Sequence, residues 1–351
     1  MRPIIISSLV FMLFLSGLEQ PVAGQEKPEE LLNERFIDRP LNMHRNQLQI
    51  NMGYGLRYAT GYYGDDGAIM NLEEEGKSIL THNYLFDLRY GLFSFMEFSV
   101  RTGILSKTER MRQVIKTGID NMVSYGGNTE TRGFDDLDLG ISVSLPFLPE
   151  FTGFSVSGGL TLPFRGNDPV RPEHELTFPY QIPGAYDIFY QFSERPGQGV
   201  ACSSLGAGMK LASSNMALIS RVNYSFPIEE GTGYIWHSRL VGNTIEYDNE
   251  PYTFLPRRYL DYHLSGIYQV FPWFAADITL RGKQGNGGWQ EYTGQMYSLP
   301  VINSLHAGAG FEIMVTPMLR ISQSFSFPVK GNNEYSGIFI YTGMNMNFFP
   351  F

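Results

Sequence analysis

One cysteine, Cys202, stands among the 351 residues, so no internal disulfide can form and stability must come from the fold itself. Long apolar runs are also missing. After residue 24 no stretch approaches the ~18 apolar residues that a membrane helix needs, and mean hydropathy is near neutral at −0.16. A helical membrane protein is therefore excluded. A β-barrel is not, because a barrel strand needs an apolar residue only at every second position. Positive charge is in deficit: 26 Lys and Arg against 35 Asp and Glu leave a net charge of −9. Such a chain carries no electrostatic footprint for nucleic acid. Acidic runs at Asp65-Asp66 and Glu73–Glu75 lack cation-ligand spacing and read as solvated loop faces, so no metal or cofactor is expected. Tryptophan is scarce at 3 residues, whereas 21 Tyr and 26 Phe are more than a soluble core needs and suit aromatic girdles at two membrane interfaces.

Residues 1–24 read as a secretory signal peptide. Arg2 is the positive end, Ile4–Leu15 the apolar run, and Val22-Ala23-Gly24 the small residues before a cut ahead of Gln25. No cysteine follows the cut, so lipoprotein anchoring is not expected. Residues 25–44 are polar and charged. They read as a periplasmic lead-in, disordered or folded into a barrel mouth. Residues 45–351 form the barrel domain.

The pattern is clearest in Gly133–Phe164. Leu137, Leu139, Ile141, Val143 and Leu145 share one face of an extended strand, with Asp136, Asp138, Gly140, Ser142 and Ser144 on the other. After a turn at Pro146–Gly153 a second arm sets Phe154, Val156, Leu160 and Leu162 against Ser155, Ser157, Gly159 and Thr161. A soluble sheet would show Lys, Glu and Thr on its wet face. Gly and Ser suit a crowded, concave interior, so the hairpin reads as two staves of a barrel, apolar side outward. Ten more such segments are Leu48–Tyr58, Leu80–Leu92, Phe95–Ile104, Val200–Leu211, Met216–Phe226, Tyr259–Phe271, Phe274–Lys283, Leu305–Met314, Leu319–Phe327 and Ile338–Phe348. Short and long connections alternate along them. The expectation is an all-β, transmembrane, antiparallel up-and-down β-barrel of about 12 strands, with short periplasmic turns and long extracellular loops. Strand-like pieces inside long loops, such as Tyr186–Phe192, leave 14 strands as the alternative.

Four stretches carry a resemblance to a known family: RPLNMHRNQLQINMGYGLRY, DLRYGLFSFMEFSV, GFDDLDLGISVSLP and SVSGGLTLPFRGND. They resemble the outer-membrane family labelled as a meta-pathway phenol-degradation protein, over roughly the first half of the chain. Its hairpin, aspartate-bearing strand and strand-end motifs correspond to Arg89–Glu97, Gly133–Gly140 and Leu162–Gly166. The resemblance implies an outer-membrane location and passage of small, aromatic molecules. It implies no particular substrate. The terminal Phe351 is similar to the signal read by the barrel-assembly machinery, although Pro350 interrupts its alternation.

Inward parity collects the candidate lumen residues. The basic ones are Arg57, Arg89, Arg101, Lys210, Arg221, Arg281, Lys283 and Arg320, and the acidic ones Asp87, Glu97, Asp138, Asp261, Asp277 and Glu312. His263 and His306 share that face. Charges shielded from water must be paired, so these read either as a selective lining or as a lumen knitted by salt bridges. In the hairpin Asp87–Arg101, equal parity makes Arg89 and Glu97, and Asp87 and Arg101, opposite or diagonal partners. Eight basic groups against six acidic offer no sustained field of one sign.

The reading is an outer-membrane channel for small neutral or apolar and aromatic solutes in a Gram-negative bacterium. Outer-membrane lipid, lipopolysaccharide and the solute are its expected partners, with no nucleic acid. The alternatives are a structural or surface-interaction barrel with an occluded lumen and, third, a barrel enzyme. Catalysis is not expected, because His237-Ser238 and Glu173-His174-Glu175 sit in long loops without a third partner.

Overall fold

The computed structural model describes residues 34–37, 39, 41–72, 74, 77–116, 122–145, 152–164, 173–176, 185–192, 197–241 and 244–349. The signal segment, the turn at 146–151 and Phe351 lie outside them. Twelve strands make the wall: β1 Leu48–Tyr63, β2 Lys77–Phe93, β3 Met96–Lys116, β4 Leu137–Ser144, β5 Thr152–Leu162, β6 Cys202–Ala212, β7 Met216–Pro227, β8 Arg258–Phe271, β9 Phe274–Asn286, β10 Ile302–Thr316, β11 Leu319–Asn332 and β12 Glu334–Phe348.

Each strand pairs antiparallel with its neighbours in sequence, and the ring closes where β1 pairs with β12 from Leu48↔Phe348 to Tyr63↔Glu334. Closure removes the edges that an open sheet would expose. Every one of the twelve alternating segments is a wall strand, several of them extended toward the long-loop end.

The fourteen-strand alternative is excluded by pairing. The piece around Tyr186–Phe192 belongs to Ala185–Phe192, which pairs with Gly231–Val241 and with no wall strand. It is one edge of a separate five-stranded sheet completed by Thr244–Leu255, Trp289–Tyr292 and Gln295–Ser298, all within the long connections. Three further segments, Ile69–Asn71, Met122–Phe134 and Glu173–Leu176, extend the wall sheet at the same end.

The apolar side chains face outward, as the alternation requires. Phe86, Ile141, Val156, Leu205, Val222, Leu264, Ile278, Phe325 and Ile340 are all exposed. A surface of that extent is a liability in water and a match for hydrocarbon. Aromatic pairs mark both ends of the wall, with Phe134 stacked on Phe164 at 5.0 Å and Phe271 on Trp273 at 5.4 Å. Amphipathic rings of this kind anchor at membrane interfaces.

The segment before β1 is not a disordered lead-in over its described part. Phe36 and Ile37 are buried, with Ile37 at 0 % exposure. Their neighbours bond to inward-facing wall groups, so residues 34–37, 39 and 41–43 lie inside the bore at its short-turn end.

Candidate functional site

The bore is built from alternate residues of the twelve strands, and the N-terminal segment closes its short-turn end. Arg35 donates to the Ser214 carbonyl in the β6–β7 turn at 3.1 Å, and Arg39 Nη1 to Glu312 Oε1 on β10 at 2.9 Å. Lys210 on β6 donates to the Arg39 carbonyl. Asn42 Nδ2 donates to the Ser142 carbonyl at 3.1 Å and Asn42 Oδ1 accepts from Ser142 Oγ at 2.9 Å, while the Met43 N–H donates to Glu97 Oε2 at 2.9 Å. These wall groups come from β3, β4, β6, the β6–β7 turn and β10, so the segment is a plug tied on several sides. Gly91 seats it: the Asn46 N–H donates to the Gly91 carbonyl at 2.8 Å, and a Cβ on Gly91 would collide with the His44 carbonyl.

Above the plug lies a chamber of about 400 Å³. Its wall holds Arg39, Arg89, Arg101, Arg281 and Arg320, the carboxylates Asp87 and Glu312, the amides Gln49, Asn51 and Asn345, and the apolar or aromatic Leu85, Phe339 and Tyr341. A smaller cavity of about 190 Å³ adjoins it and adds Arg221. Two glycines on β1 let the aromatic rings lie against the wall. The Tyr341 ring occupies the place of a Cβ at Gly53, and the Phe339 ring comes within 2.9 Å of one at Gly55.

The hairpin pairing expected from parity is present. Asp87 sits opposite Arg101 and their charged ends are 3.9 Å apart; Arg89 is diagonal to Glu97 at 3.8 Å. Arg89 Nε also donates to Asp87 Oδ2 at 2.8 Å within its own strand. An amide ladder continues from this cluster across the closure of the ring. Asn51 Nδ2 donates to Asp87 Oδ2 at 3.2 Å, Asn345 Nδ2 to Asn51 Oδ1 at 2.5 Å, and Asn347 Nδ2 to Asn345 Oδ1 at 2.6 Å.

Six of the sixteen candidate lumen residues, Asp87, Arg89, Arg101, Arg281, Glu312 and Arg320, line the chamber. Arg221, His263, Arg281 and His306 form one cross-strand row over β7 to β10. Glu97 joins the chamber's Arg89 to the plug, and the rest stand apart. Arg57 donates to Glu334 Oε1 at 2.9 Å near the long-loop end, Asp138 accepts from Thr161 Oγ1 at 2.6 Å, and Asp261 is opposite Lys283, whose ammonium lies 3.9 Å from the Tyr259 ring centre. Asp277 is opposite Gly310. Lys210 serves the plug.

Arg39, Phe339 and Tyr341 are missing from the sequence candidates. Arg39 falls in a charged stretch without periodicity. The two aromatics lie on the inward parity of β12, where no charge drew attention to them. Near-cancellation of charge holds along the bore as a whole but not in the chamber, where arginines outnumber carboxylates five to two.

At the long-loop rim, Asp136 sits between Phe134 and Leu137, outside the membrane-spanning strands, and accepts from the Gln198 N–H at 2.6 Å. Burial pushes its carboxyl up to about 6, and the neighbouring Asp135 and Asp138 add to the rise.

No protein-family model matches the chain, and no curated protein is similar to it in sequence. Solved structures match it in fold. The outer membrane channel from Pseudomonas putida F1 superposes with a TM-score of 0.60 at 10 % identity, covering 87 % of this chain and 97 % of that one. A deletion mutant of the TodX monoaromatic hydrocarbon channel covers 87 % of this chain and 91 % of its own, at 11 % identity and a TM-score of 0.47. The CymD monoaromatic hydrocarbon channel covers 87 % and 89 %, at 11 % identity and 0.45. The first of these shares the fold, a closed antiparallel β-barrel of the outer-membrane type.

Proposed function

We propose that this chain is an outer-membrane β-barrel channel for small solutes with apolar or aromatic bodies. The observation that carries the reading is a closed wall, oily outside, around a chamber of about 400 Å³ that combines arginines and amides with Phe339, Tyr341 and Leu85. Polar groups fix orientation while apolar surface accepts the body of a ligand, the usual composition of a small-molecule site. The fold shared with the Pseudomonas putida channel supports the same reading. Outer-membrane lipid and lipopolysaccharide are then the surroundings of the apolar face, and a Gram-negative envelope its location.

The plug formed by residues 34–37, 39 and 41–43 favours a second reading, a structural barrel with an occluded lumen. Swelling of proteoliposomes distinguishes the two. The channel reading expects faster swelling in small aromatic solutes than in sugars of similar size. Vesicles as tight as protein-free controls, from protein shown to be inserted and folded, would support the occluded barrel instead.

A further inference from the structure

The chamber holds an excess of positive charge that the protein leaves unanswered. Asp87 is engaged by Arg89 at 2.8 Å and faces Arg101 at 3.9 Å; Glu312 is engaged by Arg39 at 2.9 Å. No carboxylate of the lining remains for Arg281. Its side chain is exposed to the bore and makes no hydrogen bond and no ion pair within 4 Å among the described residues. Arg39 Nε and Nη2 are buried without a hydrogen-bond partner. The Tyr341 hydroxyl, which lines the same space, is also without one among the described residues. Buried guanidinium N–H groups without an acceptor, as on Arg39, are costly, and an anion entering the chamber beside the exposed Arg281 supplies an acceptor.

The rest of the lining says what kind of anion. Guanidinium forks match planar carboxylates with two parallel N–H···O bonds. Phe339, Tyr341 and Leu85 add an apolar wall that inorganic phosphate could not use. The volume of about 400 Å³ falls at the lower end of the range for small-molecule sites, roughly 300–1,000 Å³. We propose that the chamber is a binding site for small aromatic carboxylates, with Arg281 and Arg39 holding the carboxylate and the Phe339–Tyr341 wall holding the ring. The proposal rests on the channel reading and specifies the charge of the solute.

Titration calorimetry on the full-length protein in detergent tests it, with benzoate, benzyl alcohol and inorganic phosphate as probes. Benzoate is expected to bind at least about tenfold more tightly than benzyl alcohol, the yield of one charge-assisted hydrogen-bond pair. Arg281→Gln, which breaks no ion pair and should fold, is expected to remove that advantage and leave benzyl alcohol binding unchanged. Equal affinity for benzyl alcohol, phosphate binding as tightly as benzoate, or an Arg281→Gln protein that still prefers benzoate would each overturn it. Proteoliposome swelling keeps the two readings apart. Benzoate binding without any swelling leaves the site standing and sinks the channel, whereas swelling without benzoate binding does the reverse.

Discussion

Arg39 Nη1 lies 2.9 Å from Glu312 Oε1, joining a residue ahead of the first strand to the tenth strand across the mouth of the bore. The bond closes a loop of more than 270 residues, and the plug position depends on few contacts of this kind. Both side chains keep part of their surface in contact with solvent, so the pair contributes at most ~1 kcal/mol.

Removing the pair should loosen the plug without unfolding the wall. Glu312→Gln is expected to raise the unplugged fraction by up to about fivefold, the equivalent of ~1 kcal/mol. Proteoliposome swelling and single-channel conductance should rise together. Unchanged permeability would mean that Asn42, Met43 and Lys210 hold the segment unaided.

Gly91→Ala tests the plug from its seat. The new Cβ would strike the His44 carbonyl, a backbone atom that cannot swing aside, and would strain the paired bonds between Gly91 and residues 46 and 47. A cost of ~1–3 kcal/mol is expected for such overpacking. Gly158→Ala is the control, since its Cβ would meet only the Ser204 carbonyl at 3.9 Å. The temperature at which folded protein loses its compact gel migration should fall for the first and stay put for the second. Similar behaviour of the two variants would remove the steric argument.

The wall was legible in the sequence because a strand's period of two is written directly into which residues are oily. Leu137, Leu139, Ile141 and Val143 needed no structure to be placed on one side. Partner strands were less legible. That Arg221, His263 and Arg281 share a row follows from register across three strands, which parity restricts but does not choose. The plug was hidden for a different reason. Phe36 and Ile37 are two apolar residues among charged neighbours, too few to show any period, and they bury against a concave wall that exists only once twelve strands have closed. The five-stranded sheet was half visible, since Tyr186–Phe192 read as a strand. Its membership depends on its partner Gly231–Val241, some forty-five residues later.

Leu264→Arg should be damaging and Ser157→Arg mild. Leu264 is exposed in the middle of β8 on the lipid side, where arginine costs ~2–4 kcal/mol near the bilayer centre. Ser157 faces the lumen, where a long cation can reach water. Unfolding by denaturant in lipid vesicles measures both. Equal losses would contradict the assignment of faces.

Asp136 makes stability depend on pH at the long-loop rim. Its folded value, about 6, lies above the ordinary 3.8, so the folded protein binds the proton more tightly than the unfolded chain does. The resulting stabilisation is fully present below about pH 4 and is lost as pH rises through 6. The residue is 8 % exposed, so the rise is worth on the order of 3 kcal/mol at most. Asp136→Asn keeps an acceptor for the Gln198 N–H and carries no charge. It should be the more stable protein at pH 7.5, with a flatter profile between pH 4 and 6. A variant that is less stable at pH 7.5 would show that the ionised carboxylate is the form the rim needs.

Gly53 sets the width of the chamber through Tyr341. The tyrosine ring rests where a Cβ at position 53 would be, and both residues line the same cavity. In Gly53→Ala the obstructing atoms belong to the end of a side chain that can rotate, so the wall itself need not shift. Behind the ring is the β1–β12 sheet, and the open direction is the bore. The ring should therefore swing inward and take up chamber volume while the barrel stays folded. Single-channel conductance of Gly53→Ala is expected to fall below that of the parent. Tyr341→Ala should raise it, and the double variant Gly53→Ala with Tyr341→Ala should match the single tyrosine deletion, because no ring is left for the methyl to displace. Such non-additivity is the signature of two residues acting through one contact. If the two changes simply add, the glycine acts elsewhere, and the chamber is not gated by this ring.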